Sequence, residues 1–409
     1  MKQGYLSQYF ESVAAKRLRA VEINPKKSRQ HELNGTKALQ RVLGRCNGEK
    51  QVFATRFIWL GEENESVTAD TTVTWYDSRR EIQGRSECRL YFPKNDVTDI
   101  GREGDMVFIA KRTDDTLLVI ITARGSTSEN QLFWLFNIPN DTGEMFKFAE
   151  VEEGDMQLDF TVRLILDELG IEIEEPEVDR FDQLLERFQG KFPTTRQFSA
   201  FARETLDKEV DVIAEPDLTL IEWLEYEEKL FRRMERHLVD QRLRDGFLSE
   251  DGTDVEGFVQ FSLSVHNRRK SRAGYALEHH LEIILNTHNI RYRRGGVTEN
   301  RKTADFLFPG EAEYHNPKFA ALNLTMLGVK TSCKDRWRQV LSEANRISPK
   351  HLLTLEPGIS ENQTQEMKDN NLQLVLPKAV HSSYLPTQQE WLMDVGSFIS
   401  LVKDKQARL

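Results

Sequence analysis

The sequence predicts an α+β multidomain chain in which a β-rich unit comes first, an acidic helical stretch follows, and an α/β layered unit closes. Three observations carry that expectation. Short β-type runs crowd the chain up to about Asn137, acids far outnumber bases between Val151 and Gly190, and helical and strand patterns alternate beyond. A chain of 409 residues exceeds what one core usually spans, so two domains and a connector are expected. The boundaries fall at 1–150, 151–190 and 191–409.

In the first part, the segment from Gln8 to Leu18 reads as a helix. Behind it come β-type runs at 51–60, 71–76, 88–93, 106–111, 117–123 and 132–137, rich in Val, Ile, Phe and Thr. Turn residues such as Gly101, Gly104 and Asp105 separate them at close intervals, which predicts a mostly antiparallel barrel or sandwich.

The middle stretch reads as helix over 158–169, stopped at Gly170, and Glu-Pro pairs at 175–176 and 215–216 punctuate it. Leu220, Trp223, Leu224, Leu230, Phe231, Met234 and Leu238 then recur at helical spacing. Beyond them the expected elements are helix 273–288, strands 304–308 and 322–330, helix 335–347, strand 351–355, helix 361–369, strand 371–376 and helix 387–403. That alternation predicts helices layered on a mixed sheet.

With 39% hydrophobic and 30% charged residues, the composition is that of a soluble globular protein. No run of eighteen apolar residues occurs and the stretch after Met1 is polar, so a cytoplasmic location is expected. Cys46, Cys88 and Cys333 are odd in number and widely spaced, which predicts reduced thiols rather than a disulfide framework or a zinc cluster. The net charge of −10 argues against nucleic acid only if it is evenly spread. It is not, because 79–85, 267–272, 291–294 and 334–338 are locally basic and lie beside aromatic residues.

The chemistry concentrates in three residues: Asp305 on an expected strand, Lys330 at the end of the next, and Glu343 on the helix after it. Hydrolysing a phosphodiester needs a divalent cation held by carboxylates, to activate water and offset the developing charge, and a lysine assists both tasks. Hard oxygen ligands of this kind suit Mg²⁺ rather than the metals that His and Cys would select. Period-two alternation puts Lys330 on one face with Gly328, Met326 and Leu324. The same-face position two residues before the lysine is thus a glycine, and Glu343 is the acid that can replace it. Trp337, Val340, Leu341, Ala344 and Ile347 form an apolar helical stripe, leaving Arg336 and Glu343, seven apart, on its outer face. A further helix sets Glu278 and Glu282 at i and i+4, and either could add an acid.

The stretches 267–274, 277–282, 304–309 and 329–344 closely resemble the catalytic domain of the EcoRII family of restriction endonucleases, and the likeness runs more weakly from about Lys191 onward. The resemblance implies a PD-(D/E)XK nuclease core working with Mg²⁺ and an active site at Glu278, Asp305, Lys330 and Glu343. It also implies that Lys334, Asp335 and Arg336 read the outer CC and GG pairs of the target. That assignment is chemically consistent, since Arg and Lys donate to guanine O6 and N7 and Asp accepts from cytosine N4. Arg268, Arg269, Lys270 and Arg272, in the first of these stretches, are candidate DNA contacts. Ala304 stands where the family usually has proline, and Tyr275 where the relative has lysine.

From about Phe53 to Asn137 the chain looks like the B-three type DNA-binding pseudobarrel, most of all the recognition domain of BfiI-type enzymes; EcoRII-type enzymes carry an effector domain of that fold. The resemblance implies that arms from the barrel grip the major groove, with Arg79, Arg80, Arg85, Glu87 and Arg89 as the candidate contacts. Together the two likenesses imply a type II restriction enzyme cutting double-stranded DNA at a CC(N)GG-type site. They imply a homodimer of catalytic domains, 5′ overhangs and a second, activating DNA site. A modification-dependent endonuclease and a non-catalytic DNA-binding regulator are the alternative readings.

Overall fold

A computed structural model describes residues 4–23, 31–46, 49–61, 66–81, 86–173, 181–249, 252–333 and 336–409. The chain divides into two units. The first comprises Met1–Glu172, Pro357–Gln365 and Ser383–Gln388; the second comprises Ile173–Glu356, Glu366–Ser382 and Gln389–Leu409.

The first unit is built on eight strands: β1 (Phe10–Arg17), β2 (Glu32–Asn34), β3 (Gln51–Leu60), β4 (Ser66–Asp77), β5 (Cys88–Tyr91), β6 (Met106–Arg112), β7 (Leu117–Thr122) and β8 (Lys147–Glu150). They hydrogen-bond in the order β2-β5-β4-β3-β7-β6-β1-β8, antiparallel except for the β3–β7 pair. Helices α1 (Ala20–Ile23), α2 (Lys37–Leu43), α3 (Asp96–Ile100), α4 (Thr127–Leu135) and α5 (Phe160–Glu168) accompany the sheet. Alternate residues of its strands, among them Phe57, Val73, Trp75, Leu90, Val107, Ile109, Val119 and Ile121, fill one core.

Two expectations fail in this unit, for related reasons. The segment expected as an opening helix is strand β1, paired along one edge with β6 (Val13 with Ala110) and along the other with β8 (Val13 with Ala149). Ala14 and Ala15 are fully buried there, so main-chain pairing on both edges overrides the helical preference of alanine. The run 132–137, expected as a strand, instead belongs to α4. Ser126 caps that helix by accepting from Glu129 N at 3.1 Å, and Leu132, Phe133, Leu135 and Phe136 are buried against rings such as Phe108 and Phe10. The cysteine expectation is corrected as well: Cys46 and Cys88, 42 residues apart, are joined by a disulfide with a Cα–Cα distance of 5.7 Å, because folding lays the turn after α2 on β5. Cys333 is free and buried.

The second unit opens with helices α6 (Phe181–Phe188), α7 (Thr195–Thr205), α8 (Pro216–Asp245) and α9 (Val255–Thr287), with a small ribbon of β9 (Leu248–Ser249) and β10 (Gly252–Thr253) between the last two. The apolar stripe expected from Leu220 to Leu238 is the buried side of α8, where Leu230, Phe231 and Met234 pack with Phe198 and Phe201 of α7. A five-stranded mixed sheet follows: β11 (Arg293–Val297), β12 (Thr303–Phe308), β13 (Thr325–Lys330), β14 (Lys350–Thr354) and β15 (Leu372–Val375). The first three strands pair antiparallel, and β13 to β15 pair parallel. The other helices of this unit are α10 (Glu311–His315), α11 (Trp337–Leu341) and α14 (Val395–Gln406), while α12 (Glu361–Asp369) and α13 (Pro386–Gln389) lie in the segments divided between the two units. Relative to expectation, α9 starts earlier, residues 321–323 form a turn before β13 rather than its start, and the helix expected over 335–347 is the short α11. Among the described residues no helix is long and apolar enough to cross a membrane.

Gly35, beside β2, is a glycine for want of space, because a Cβ there would lie 2.5 Å from the Trp75 ring and closer still to Cys88 Cβ. The substitution Gly35→Ala is therefore expected to destabilise the first unit by about 3 kcal/mol through overpacking. A urea titration followed by tryptophan fluorescence measures it, and an unchanged midpoint would refute the close packing of β2 on β5.

Candidate active site

The antiparallel pairing of β12 with β13 runs from Phe308–Thr325 to Phe306–Leu327 and stops there. At the next step a side chain takes over from the backbone. Asp305 Oδ2 accepts from Val329 N at 2.7 Å and from Lys330 Nζ at 2.8 Å, so the two strands part around a carboxylate. Ala304 and Phe306, on either side of Asp305, are fully buried and anchor it by period-two alternation, whereas Asp305 and Lys330 keep about a quarter of their side chains open. The structure thus sets Asp305 and Lys330 side by side as an ion pair.

Gly328 explains why no acid precedes the lysine. A Cβ at that position would lie 2.9 Å from Val340 Cγ2, so α11 packs directly on the bare strand. Trp337 and Val340 are fully buried in that contact. The helix ends at Leu341, and Glu343 stands in the turn behind it rather than on the helical face expected for it. Its carboxyl is half-buried, and Oε2 is enclosed with no hydrogen-bond partner among the described residues. Burial, and then the charge of Asp305, push this carboxyl up to about 7, against the opposing pull of Lys330, Lys350 and Lys302.

Glu278 reaches the same place from α9. Its carboxyl is raised above the usual range, by burial first; Asp305 adds to the shift, while Arg294 and Lys330 oppose it. Arg294 of β11 grips Glu278 Oε2 through Nη2 at 2.6 Å and Nε at 3.1 Å. Its Nη1 lies 3.2 Å from Glu282 Oε2 and 3.0 Å from His279 Nδ1. Burial and then the Arg294 charge push the His279 imidazole down to about 4, so it stays neutral near pH 7 and adds no positive charge. Sequence reasoning noticed Arg294 only as one member of a basic run, since nothing local marks its partners on α9.

The four acid and lysine positions are thus brought together, and their donor set suits a hard divalent cation: carboxylate oxygens, one of them buried without a partner among the described residues and near a second carboxylate. Among the described residues no three His, Cys, Asp or Glu side chains are grouped closely enough to hold an ion as they stand. Lys330 and Arg294 pair with Asp305 Oδ2 and Glu278 Oε2, respectively.

The expected DNA contacts scatter more widely. Arg336 is exposed at the N-terminus of α11, its N–H bonded to Cys333 O at 2.6 Å; Lys334 and Asp335 lie outside the described residues. On α9, Arg268 stacks over the Phe192 ring at 4.4 Å and Arg269 is bound to Glu235 at 2.6 Å; nothing is described of the Lys270 side chain. Arg272 is only 7% exposed, lies 3.4 Å from Glu227, pairs with Glu228 and stacks on Phe231. The structure therefore seats Arg272 as an internal cation, whereas Arg269, tied to Glu235, keeps about a third of its side chain open. In the first unit, Arg79 pairs with Glu87 at 2.5 Å, and Arg89 pairs with Glu87 and with Asn34 across the strand. Arg80 is exposed, and Arg85 lies outside the described residues.

Residues 231–399, which include all four acid and lysine positions, match the family model of the EcoRII C terminal domain. That stretch is therefore similar to an EcoRII C terminal domain. The chain is 37% identical over 232 residues to the type II restriction enzyme EcoRII of Escherichia coli, covering 56% of this chain and 55% of that enzyme. The type II restriction enzyme SsoII of Shigella sonnei is 29% identical over 175 residues, covering 37% of this chain and 55% of the relative. The chain spans about half the length of the curated relatives it matches. Among solved structures, a complex of the restriction endonuclease PspGI with substrate DNA aligns at a TM-score of 0.44 and 15% identity, covering 53% of this chain and 95% of that one. Metal-depleted Ecl18kI with uncleaved, modified DNA aligns at 0.41 and 21%, covering 56% and 84%.

The raised Glu343 carboxyl has a consequence for stability. Its folded value of about 7 lies above the ordinary 4.5, so the folded state holds a proton that the unfolded state has lost across that interval. Stability should therefore fall as pH rises from about 4.5 to about 7 and then level off. Glu343→Gln removes the penalty and should be more stable than the unsubstituted chain by about 1–2 kcal/mol at pH 8, after allowing for partial exposure, and equal to it near pH 4. Urea unfolding in a chelator at the two pH values measures this; a variant less stable at pH 8 would mean the carboxylate is well compensated.

Proposed function

We propose that this chain is a Mg²⁺-dependent, sequence-specific endonuclease of double-stranded DNA, of type II restriction character. The observation that carries the reading is the convergence of Asp305, Lys330 and Glu343 around a carboxylate oxygen that has no partner among the described residues, within the stretch similar to the EcoRII C terminal domain. Asp305 and Glu343 would hold the cation, which when bound supplies an activated water and a counter-charge for the phosphate. Lys330 donates from Nζ to the phosphate oxygen that gains charge during in-line attack. Glu278, fixed by Arg294, orients water at the edge of the site. Arg336 reads guanine from its exposed position ahead of α11, together with Lys334 and Asp335, on a CC(N)GG-type target cut with 5′ overhangs.

The first unit is proposed as a DNA-sensing domain of the B-three pseudobarrel type. Its support is the single eight-stranded sheet and the charged cluster of Arg79, Glu87, Arg89 and Asn34 along one end of it. In this reading the domains are 1–150, 151–190 as an acidic linker, and 191–409. The catalytic domains work as a homodimer on both strands in the cytoplasm. Binding of a second DNA site by the first unit activates the enzyme.

Lys330→Ala tests the chemistry separately from binding. Cleavage of a CC(N)GG plasmid with Mg²⁺ is expected to fall by about 10²- to 10³-fold, the scale of losing one fixed electrostatic donor. Binding of the same duplex with Ca²⁺ should stay within about threefold, because the lysine faces one phosphate among many. Equal cleavage by the variant would remove Lys330 from the chemistry. Binding without cleavage by the unsubstituted chain would favour a DNA-binding regulator.

A further inference from the structure

Glu343 is not held by a helix, and what holds it lies elsewhere in the chain. Behind α11 the N–H groups of Ser342 and Glu343 still bond back to Gln339 and Val340 carbonyls at 3.1 Å. Ala344, fully buried, then takes a left-handed φ of 48°, and the chain leaves its own hydrogen-bond ladder. The next two N–H groups find side chains instead. Ala344 N bonds to Thr298 Oγ1 at 3.5 Å and Asn345 N bonds to Glu299 Oε2 at 3.2 Å.

Both acceptors come from the tight connection between β11 and β12. Thr298 N and Oγ1 both donate to Lys302 O, at 2.7 and 3.1 Å, closing a turn in which Asn300 and Arg301 take φ near 60°. The Glu299 carboxylate is itself fixed, since the buried Tyr314 hydroxyl lies 2.5 Å from Oε1 and 2.7 Å from Oε2. Arg346, just beyond the clamped residues, bonds to the carbonyls of Tyr314 and, at 3.0 Å, Phe319. With both oxygens engaged, Glu299 serves as a brace rather than as a ligand.

We infer that Glu299, assisted by Thr298 and Tyr314, is a positioning residue that sets where the Glu343 carboxylate stands. The need for a brace follows from the geometry: the chain leaves its helical ladder at Ala344, and without acceptors for the Ala344 and Asn345 N–H groups the turn that carries Glu343 would have no fixed end. The inference rests on the reading of Asp305, Lys330 and Glu343 as a metal-dependent centre. Residues behind a metal ligand commonly change metal affinity by about 10- to 100-fold when removed.

The test uses the full chain and two readouts: Mn²⁺ binding followed by the electron paramagnetic resonance of the free ion, and the Mg²⁺ dependence of plasmid cleavage. Glu299→Ala should weaken Mn²⁺ binding about tenfold and raise the half-saturating Mg²⁺ in step, with the rate at saturating metal kept within about threefold. Glu299→Gln retains an oxygen for the Asn345 N–H and should shift both by less than about threefold. Thr298→Val, which keeps the shape and removes one acceptor, should shift both in the same direction as alanine at 299 and serves if that variant does not fold. Unchanged Mn²⁺ binding in Glu299→Ala, or equal losses for Ala and Gln, would overturn the brace. If the unsubstituted chain bound no Mn²⁺ and cut no DNA, the metal-centre reading itself would fall, and that is read before any variant is made.

Discussion

Two carboxylates that repel each other, only one of them bonded by a lysine, set the terms for the second unit. Asp305 is satisfied by Val329 N and Lys330 Nζ, and Glu343 is left with a buried oxygen that nothing in the described residues serves. In a medium less polar than water the repulsion grows, and the protein answers by holding one of the two carboxyls near the midpoint of its titration at neutral pH. A packed hydrophobic site would not tolerate such an arrangement without gain. Its cost in stability is the form expected of a site that works on a charge brought from outside.

The scaffold can be read as the means of keeping that arrangement in place. The strands β12 and β13 part just where the Asp305 carboxylate substitutes for a backbone acceptor, so its position is set by main-chain geometry. Gly328 lets α11 sit on the sheet, which moves the second acid from the strand to the turn after the helix. Once there, it is anchored by side chains from the turn between β11 and β12. Arg294 neutralises the acids of α9 that would otherwise add to the crowding, and His279 beside it stays uncharged.

Some of this was legible in the sequence and some was not, and distance along the chain is the reason. Asp305 and Lys330 lie in strands whose alternation is local, so their places on those strands could be read directly. The strand β1 could not, since its identity depends on pairing with β6 and β8, roughly a hundred residues and more away in sequence. The disulfide of Cys46 with Cys88 escaped for the same reason. Arg269 and Arg272 look like a free basic run in sequence, yet their partners Glu235 and Glu227 are 34 and 45 residues earlier, on α8. Glu343 was found as an acid and misplaced as a helical one, because the left-handed turn at Ala344 carries no glycine or asparagine to announce it.

The measurement that bears most directly on the centre is sequencing of DNA ends after digestion of paired plasmids, unmethylated and cytosine-methylated, by the full chain with Mg²⁺. The expected result is a fixed cut at CC(N)GG sites of the unmethylated plasmid, with a 5′ overhang on each strand. Cuts confined to the methylated plasmid would make the first unit a reader of modification. No cut on either plasmid, with Mg²⁺ or Mn²⁺, would contradict a nuclease centre at Asp305, Lys330 and Glu343.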